Sequence, residues 1–133
     1  MKFDEFVKEV VRRARLSSHG EAVGAIRATL ATLGQRLQPA EVDDLASQLP
    51  REIAHYLRDA KGPERFGLKE FFERVSKLEN AELPHAVYHA RVVIAVLQDA
   101  VTPGEIRDVR DQLPDEFGAL FDAGTEGEMP ITR

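Results

Sequence analysis

The sequence predicts an all-α chain made of two tandem homologous four-helix units, about eight helices in all. Three observations lead to this reading. Apolar residues recur three and four positions apart along most of the chain, the period of a helix with one buried face. Prolines fall where such stripes begin, the part of a helix that tolerates a residue with no amide hydrogen to donate. And one stretch occurs twice. Residues 39–53, PAEVDDLASQLPREI, return 64 positions on as residues 103–117, PGEIRDVRDQLPDEF, with the pattern P-x-E-(V/I)-x-D-(L/V)-x-x-Q-L-P-x-E-(I/F).

The first helix covers residues 2–15, with Phe3, Phe6, Val7, Val10 and Ala14 on one face. Asp4 with Lys8 and Glu9 with Arg13 form four-apart pairs in the favourable order. Ser18 and Glu21 make a capping box for the second helix, whose stripe is Val23, Ile26, Leu30, Leu33 and Leu37. Pro39 opens a third helix with Val42, Leu45 and Leu49 inward. Pro50 biases Leu49 out of the helical region, ends that helix and opens a fourth, with Ile53 and Leu57 inward. The first unit is thus residues 1–60, followed by a linker, 61–67, that has turn chemistry and no periodicity.

Residues 68–121 repeat the programme. Leu68, Phe71, Phe72 and Val75 match Phe3, Phe6, Val7 and Val10, and Pro84 opens a sixth helix with Val87, Ala90, Ile94, Leu97 and Val101 inward. Its β-branched run Val92–Leu97 alone reads as a strand. The helical stripe and the counterpart residues 28–33 decide for helix, and its near-continuous apolar character makes it the helix expected to be most buried. Thr102 and Glu105 form a second capping box around Pro103, and an eighth helix from Pro114 carries Phe117 and Phe121 inward. Residues 122–133 are Gly-punctuated and acidic, a flexible tail.

Hydrophobic content of 43% and charged content of 31% describe a soluble globular chain large enough for a core without staples. The absence of cysteine excludes disulfides, thiolate metal sites and thiol catalysis. The N-terminus has no apolar h-region, and the longest apolar run is too short to span a bilayer. A cytoplasmic location and no membrane insertion are therefore expected. Residues 1–60 balance nine basic against nine acidic side chains, whereas residues 61–133 set nine against fourteen and carry the net charge of −5. That acidic half excludes nucleic acid as a partner. Arg12, Arg13 and Arg15 form the one basic cluster, read as a solvated helix end in preference to a phosphate or membrane-surface patch.

The doubled L-x-x-Q-L-P (Leu45…Pro50) and V-x-x-Q-L-P (Val109…Pro114), each about 25 residues after an E/H-A-V helix start, resemble a bacterial all-helical family of unknown function built of two Q-L-P-containing repeats. The resemblance covers roughly residues 3–121 and implies fold and cytoplasmic bacterial origin; it brings no site residues with it.

Three groups of residues are candidates for chemistry. His85 and His89 share a helix face with Glu82 nearby, a spacing that suits a transition metal, but a third strong ligand and a general base are missing. Glu41/Asp44 and Glu105/Asp108 pair carboxylates near helix starts, where acid–base work or divalent-metal binding needs convergence in a dry pocket. Helix capping and the N-terminal dipole account for these glutamates without it. Arg27/Arg91, Asp44/Asp108, Gln48/Gln112 and Glu52/Glu116 are polar in both copies and suggest bonds inside each unit: Arg27 to Asp44, Arg91 to Asp108, and Gln48 to backbone at the Pro50 corner. No catalytic signature, cofactor motif or metal site emerges. The chain reads as a non-enzymatic protein–protein interaction or regulatory module, with Glu105, Asp108, Asp111, Asp115 and Glu116 as the interaction surface for an unknown protein partner or for self-association through the Arg12–Arg15 end. The alternative is a small-molecule or lipid-binding protein with a pocket between the repeats.

Overall fold

A computed structural model describes residues 1–125 of the chain. Among the described residues the chain is helical, with no strand. The order is α1 (Phe3–Ala14), α2 (His19–Arg36), α3 (Pro39–Ala46), α4 (Arg51–Asp59), α5 (Leu68–Glu79), α6 (Leu83–Ala100), α7 (Pro103–Asp111), a short 3₁₀ turn (Asp115–Phe117) and α8 (Gly118–Thr125). The run Val92–Leu97 lies inside α6, so the three-and-four periodicity prevails over its β-branched composition. α1 and α5 are 12 residues each, α2 and α6 18 each. α1 and α5 both end on a left-handed residue, Arg15 at φ 56° and Asn80 at φ 58°. Asparagine adopts that conformation readily; arginine does so at some steric cost.

α2 and α6 occupy the middle. α2 packs against α1, α4, α5 and α6, while α6 packs against α1, α2, α5 and α8. The first helix of each half therefore lies against the long helix of the other as well as its own, and a single core cluster runs from Phe6 to Phe121. Phe6, Phe71, Phe117 and Phe121 are its largest buried side chains. Each contributes about 1.5–3 kcal/mol by leaving water. α6 is not alone in its depth, as its apolar run had suggested. α2 buries a comparable face that includes Thr29 and Thr32, enclosed by α4 of its own half and by α5 and α6 of the other among the helices packed on it. Thr32 donates to the Ala28 carbonyl at 2.8 Å, which lets the hydroxyl enter the core.

Two expectations need adjustment. Leu49, read as inward-facing, is only partly buried, whereas its counterpart Leu113 is buried. And α8 continues to Thr125, beyond the Asp122 boundary assigned to the tail; the rest of that tail lies outside the described residues. The linker is held firmly against the long helix of the first half. Glu64 donates its amide to the Gln35 carbonyl at 2.8 Å, Arg36 donates to the Phe66 carbonyl at 2.8 Å, and the Arg74 guanidinium stands 3.9 Å above the buried Phe66 ring. Gly62 permits this approach, since a Cβ there would stand 2.3 Å from the Gln35 carbonyl oxygen.

Candidate functional site

α3 and α7 carry the duplicated motif and pack against each other, which brings its two copies together. Pro39 and Pro103 occupy the first turns, so Glu41 and Glu105 stand at the third helical position of α3 and α7. A glutamate there normally accepts a bond from the amide of the residue before the helix. In α7 only half of that box forms: Glu105 donates its amide to Thr102 Oγ1 at 3.2 Å. The other half is taken over from across the molecule. Thr102 donates its amide to Gln48 Oε1 at 2.8 Å, and Gln38, before α3, donates its amide to Gln112 Oε1 at 3.0 Å. Gln48 and Gln112 thus cap each other's neighbouring helix, and Gln48 does not serve the Pro50 corner as expected. Gln112 also donates to Glu41 Oε1 at 3.3 Å.

Relieved of capping, the two glutamate side chains turn towards each other. Glu41 is 8% exposed and Glu105 7%. Carboxylate oxygens of Glu41, Glu105 and Asp108 lie within 4.8 Å of one another. Oε2 of Glu41 and Oε2 of Glu105 are sealed from solvent with no hydrogen-bond partner among the described residues. Burial pushes the Glu105 carboxyl up to about 8, helped by a hydrogen bond and the charge of Glu41 and by the charges of Asp44 and Asp108. Near neutral pH Glu105 therefore holds a proton, which supplies the donor that two facing carboxylates lack. Capping does not explain these glutamates, and Glu105 does not belong to the surface patch assigned to it.

The rest of that patch is mixed. Asp108, Asp111 and Asp115 are exposed. Glu116 Oε2 accepts the Leu68 amide at 3.1 Å and caps the start of α5, lying so close to Gly67 that a Cβ there would stand 2.6 Å away. Arg110 is engaged by Asp122 at 2.8 Å, and among the described residues no ion pair engages Asp111 or Asp115. Between those two aspartates lies a cleft of about 200 Å³, lined by Arg110, Leu113, Pro114, Phe117, Gly118 and Phe121.

A family model matches residues 3–120 of the chain, and its description is "Uncharacterized conserved protein (DUF2267)". The chain belongs to that family. No curated protein matches it. The match spans nearly all of the helical body, both copies of the motif included, and agrees with the resemblance to a helical family of unknown function.

The other sequence candidates are placed as follows in this DUF2267 chain. His89 is half-buried and its Nδ1 pairs closely with Glu79 Oε2, while His85 is exposed and stacks loosely on the His89 ring. Glu79 therefore accounts for His89 without a metal. Arg27 and Arg91 do not reach Asp44 and Asp108. Arg27 is exposed, and Arg91 Nε is buried without a hydrogen-bond partner among the described residues, its pKa lowered by that desolvation. The physical reason is that α3 and α7 direct their acidic faces at each other, not at the helices preceding them in sequence. Arg12 and Arg13 are occupied at home, Arg12 by Glu9 at 2.6 Å and Arg13 by Glu9 at 3.0 Å and Asp99 at 2.5 Å. Among the described residues no helix is long and apolar enough to cross a membrane.

Proposed function

We propose that the protein is a non-catalytic protein–protein interaction module in which a basic segment of a partner docks on the edge formed by α7 and the 3₁₀ turn. The observation that carries this reading is the pair Asp111 and Asp115, both exposed and without an ion pair among the described residues, on either side of a cleft backed by Leu113, Phe117 and Phe121. A lysine or arginine suits such a place, its charge between the carboxylates. Self-association through the Arg12–Arg15 end has less support, because Arg12 and Arg13 already have carboxylate partners in their own chain. The three clefts of about 200, 330 and 450 Å³ are lined by residues 110–121, 34–62 and 1–52 respectively, so none of these three lies between the halves as a small-molecule pocket would require.

The test is a panel of lysine- and arginine-rich peptides titrated against the full chain and against the D111K/D115K variant by fluorescence anisotropy, at low and at high salt. The variant should keep its stability within about 0.5 kcal/mol, as exposed changes usually do. Binding should be present in the native protein, weaken with salt and vanish in the variant. Peptide binding that survives the double reversal, or none at low salt, refutes the reading.

A further inference from the structure

We propose that Glu41, Glu105 and Asp108 form a binding site for one hard divalent cation, of the Mg²⁺, Mn²⁺ and Ca²⁺ class, that ties α3 to α7. The proposal is independent of the docking edge above, which uses Asp111 and Asp115.

The geometry carries it. Three carboxylate oxygens from two helices come within 4.8 Å of one another, a spacing that small side-chain movements close onto a single ion. Two of these side chains are more than nine-tenths buried, and each carries an oxygen with no hydrogen-bond partner among the described residues. Orphaned buried acceptors are costly, and a cation relieves both at once. No lysine or arginine pairs with any of the three among the described residues, so the protein supplies no positive side chain of its own. The positive ends of α3 and α7 offset part of the charge, but three carboxylates with Asp44 nearby exceed what two half-charges balance.

The donors decide the class. All are carboxylate oxygens, and neither histidine nor thiolate joins them, which suits hard cations and disfavours zinc or copper. Asp108 is exposed, which gives the ion a way in and leaves room for retained water ligands. Gln112 holds Glu41 by its other oxygen at 3.3 Å, an outer contact that fixes a ligand's orientation.

The experiment is a Mn²⁺ titration of chelator-treated full-length protein at pH 7.5, read by electron paramagnetic resonance and calorimetry, with Mg²⁺ and Ca²⁺ as competitors. E105Q keeps the neutral form already present without metal, and D108N alters an exposed side chain, so both variants should fold; circular dichroism and thermal melts check this. Expected is one Mn²⁺ per chain with an affinity at or tighter than about 1 mM. E105Q and D108N should each weaken it at least about tenfold, while D111N leaves it unchanged. No saturable binding of any of the three ions by about 1 mM overturns the site and leaves a shared proton as the cluster's only occupant. Binding of equal strength in E105Q and D108N overturns it too, since the ion would then sit elsewhere.

Discussion

The Glu41–Glu105 contact should give the protein an unusual dependence of stability on pH. Glu105 has a carboxyl pushed up to about 8 from an ordinary 4.5, chiefly by burial and then by Glu41. The native state thus binds this proton more tightly than the unfolded chain does. Its contribution to stability is fully present below about pH 4.5 and is lost as pH rises through about 8. Taken whole, that difference corresponds to about 5 kcal/mol. Solvent screens the exposed Asp44 and Asp108, so a loss of roughly 2 kcal/mol is expected. The assay is urea unfolding of the native chain and of E105Q from about pH 5 to about pH 9, in chelator so that no cation masks the effect. Glutamine keeps a neutral group beside Glu41 and cannot ionise. The difference between the two proteins isolates Glu105 from every other group in the chain. Stability of the native chain should fall with pH relative to E105Q, steadily from about pH 5 to about pH 8, and level off above that. Curves that stay parallel across the range would mean that Glu105 ionises as an ordinary exposed carboxylate, and the buried-cluster reasoning would fail.

Two further predictions address the surroundings of the site. Leu113→Ala should cost about 2–5 kcal/mol by denaturant titration, as buried leucine truncations do, whereas Leu49→Ala should cost about 1 kcal/mol because part of that side chain already meets water. Gln48→Ala should cost about 1 kcal/mol by uncovering the Thr102 amide, and Gln112→Ala somewhat more, because it removes the donor to Glu41 as well as the acceptor for Gln38; equal costs near zero would show the reciprocal caps to be incidental.

Most of the fold was legible because the signals were local. Pro39 and Pro103 can stand only in first turns, Phe6, Val7 and Val10 share a face by period alone, and the matching stripe of residues 23–37 settled Val92–Leu97 as helix. What local signals do not encode is which half covers which face. Thr29 and Thr32 on α2 are buried although both are polar, and the turn chemistry of 61–67 gave no hint that Phe66 is buried under Arg74.

The carboxyl cluster escaped the sequence reading for a more specific reason. Glutamate three residues into a helix behind a proline start is the capping-box pattern, and that pattern states only that the amide before the helix needs an acceptor. It does not state that the glutamate must provide it. Here a glutamine seven residues further along each copy reaches the opposite helix and provides it instead: Gln48 for Thr102, Gln112 for Gln38. The spare acceptor is then the glutamate, and two helix starts packed together turn both spare acceptors inward. The signal was in the sequence, in the glutamate and glutamine that stand at the same spacing in both copies. A bond inside each unit, such as Arg27 to Asp44, accounts for doubled residues no better than an exchange between the copies does. Only the exchange leaves Glu41 and Glu105 unused by the backbone. Doubled polar residues should therefore be tested first for bonds from one copy to the other. Where that exchange satisfies the helix ends, the acid left over is the place to look for a proton or a cation.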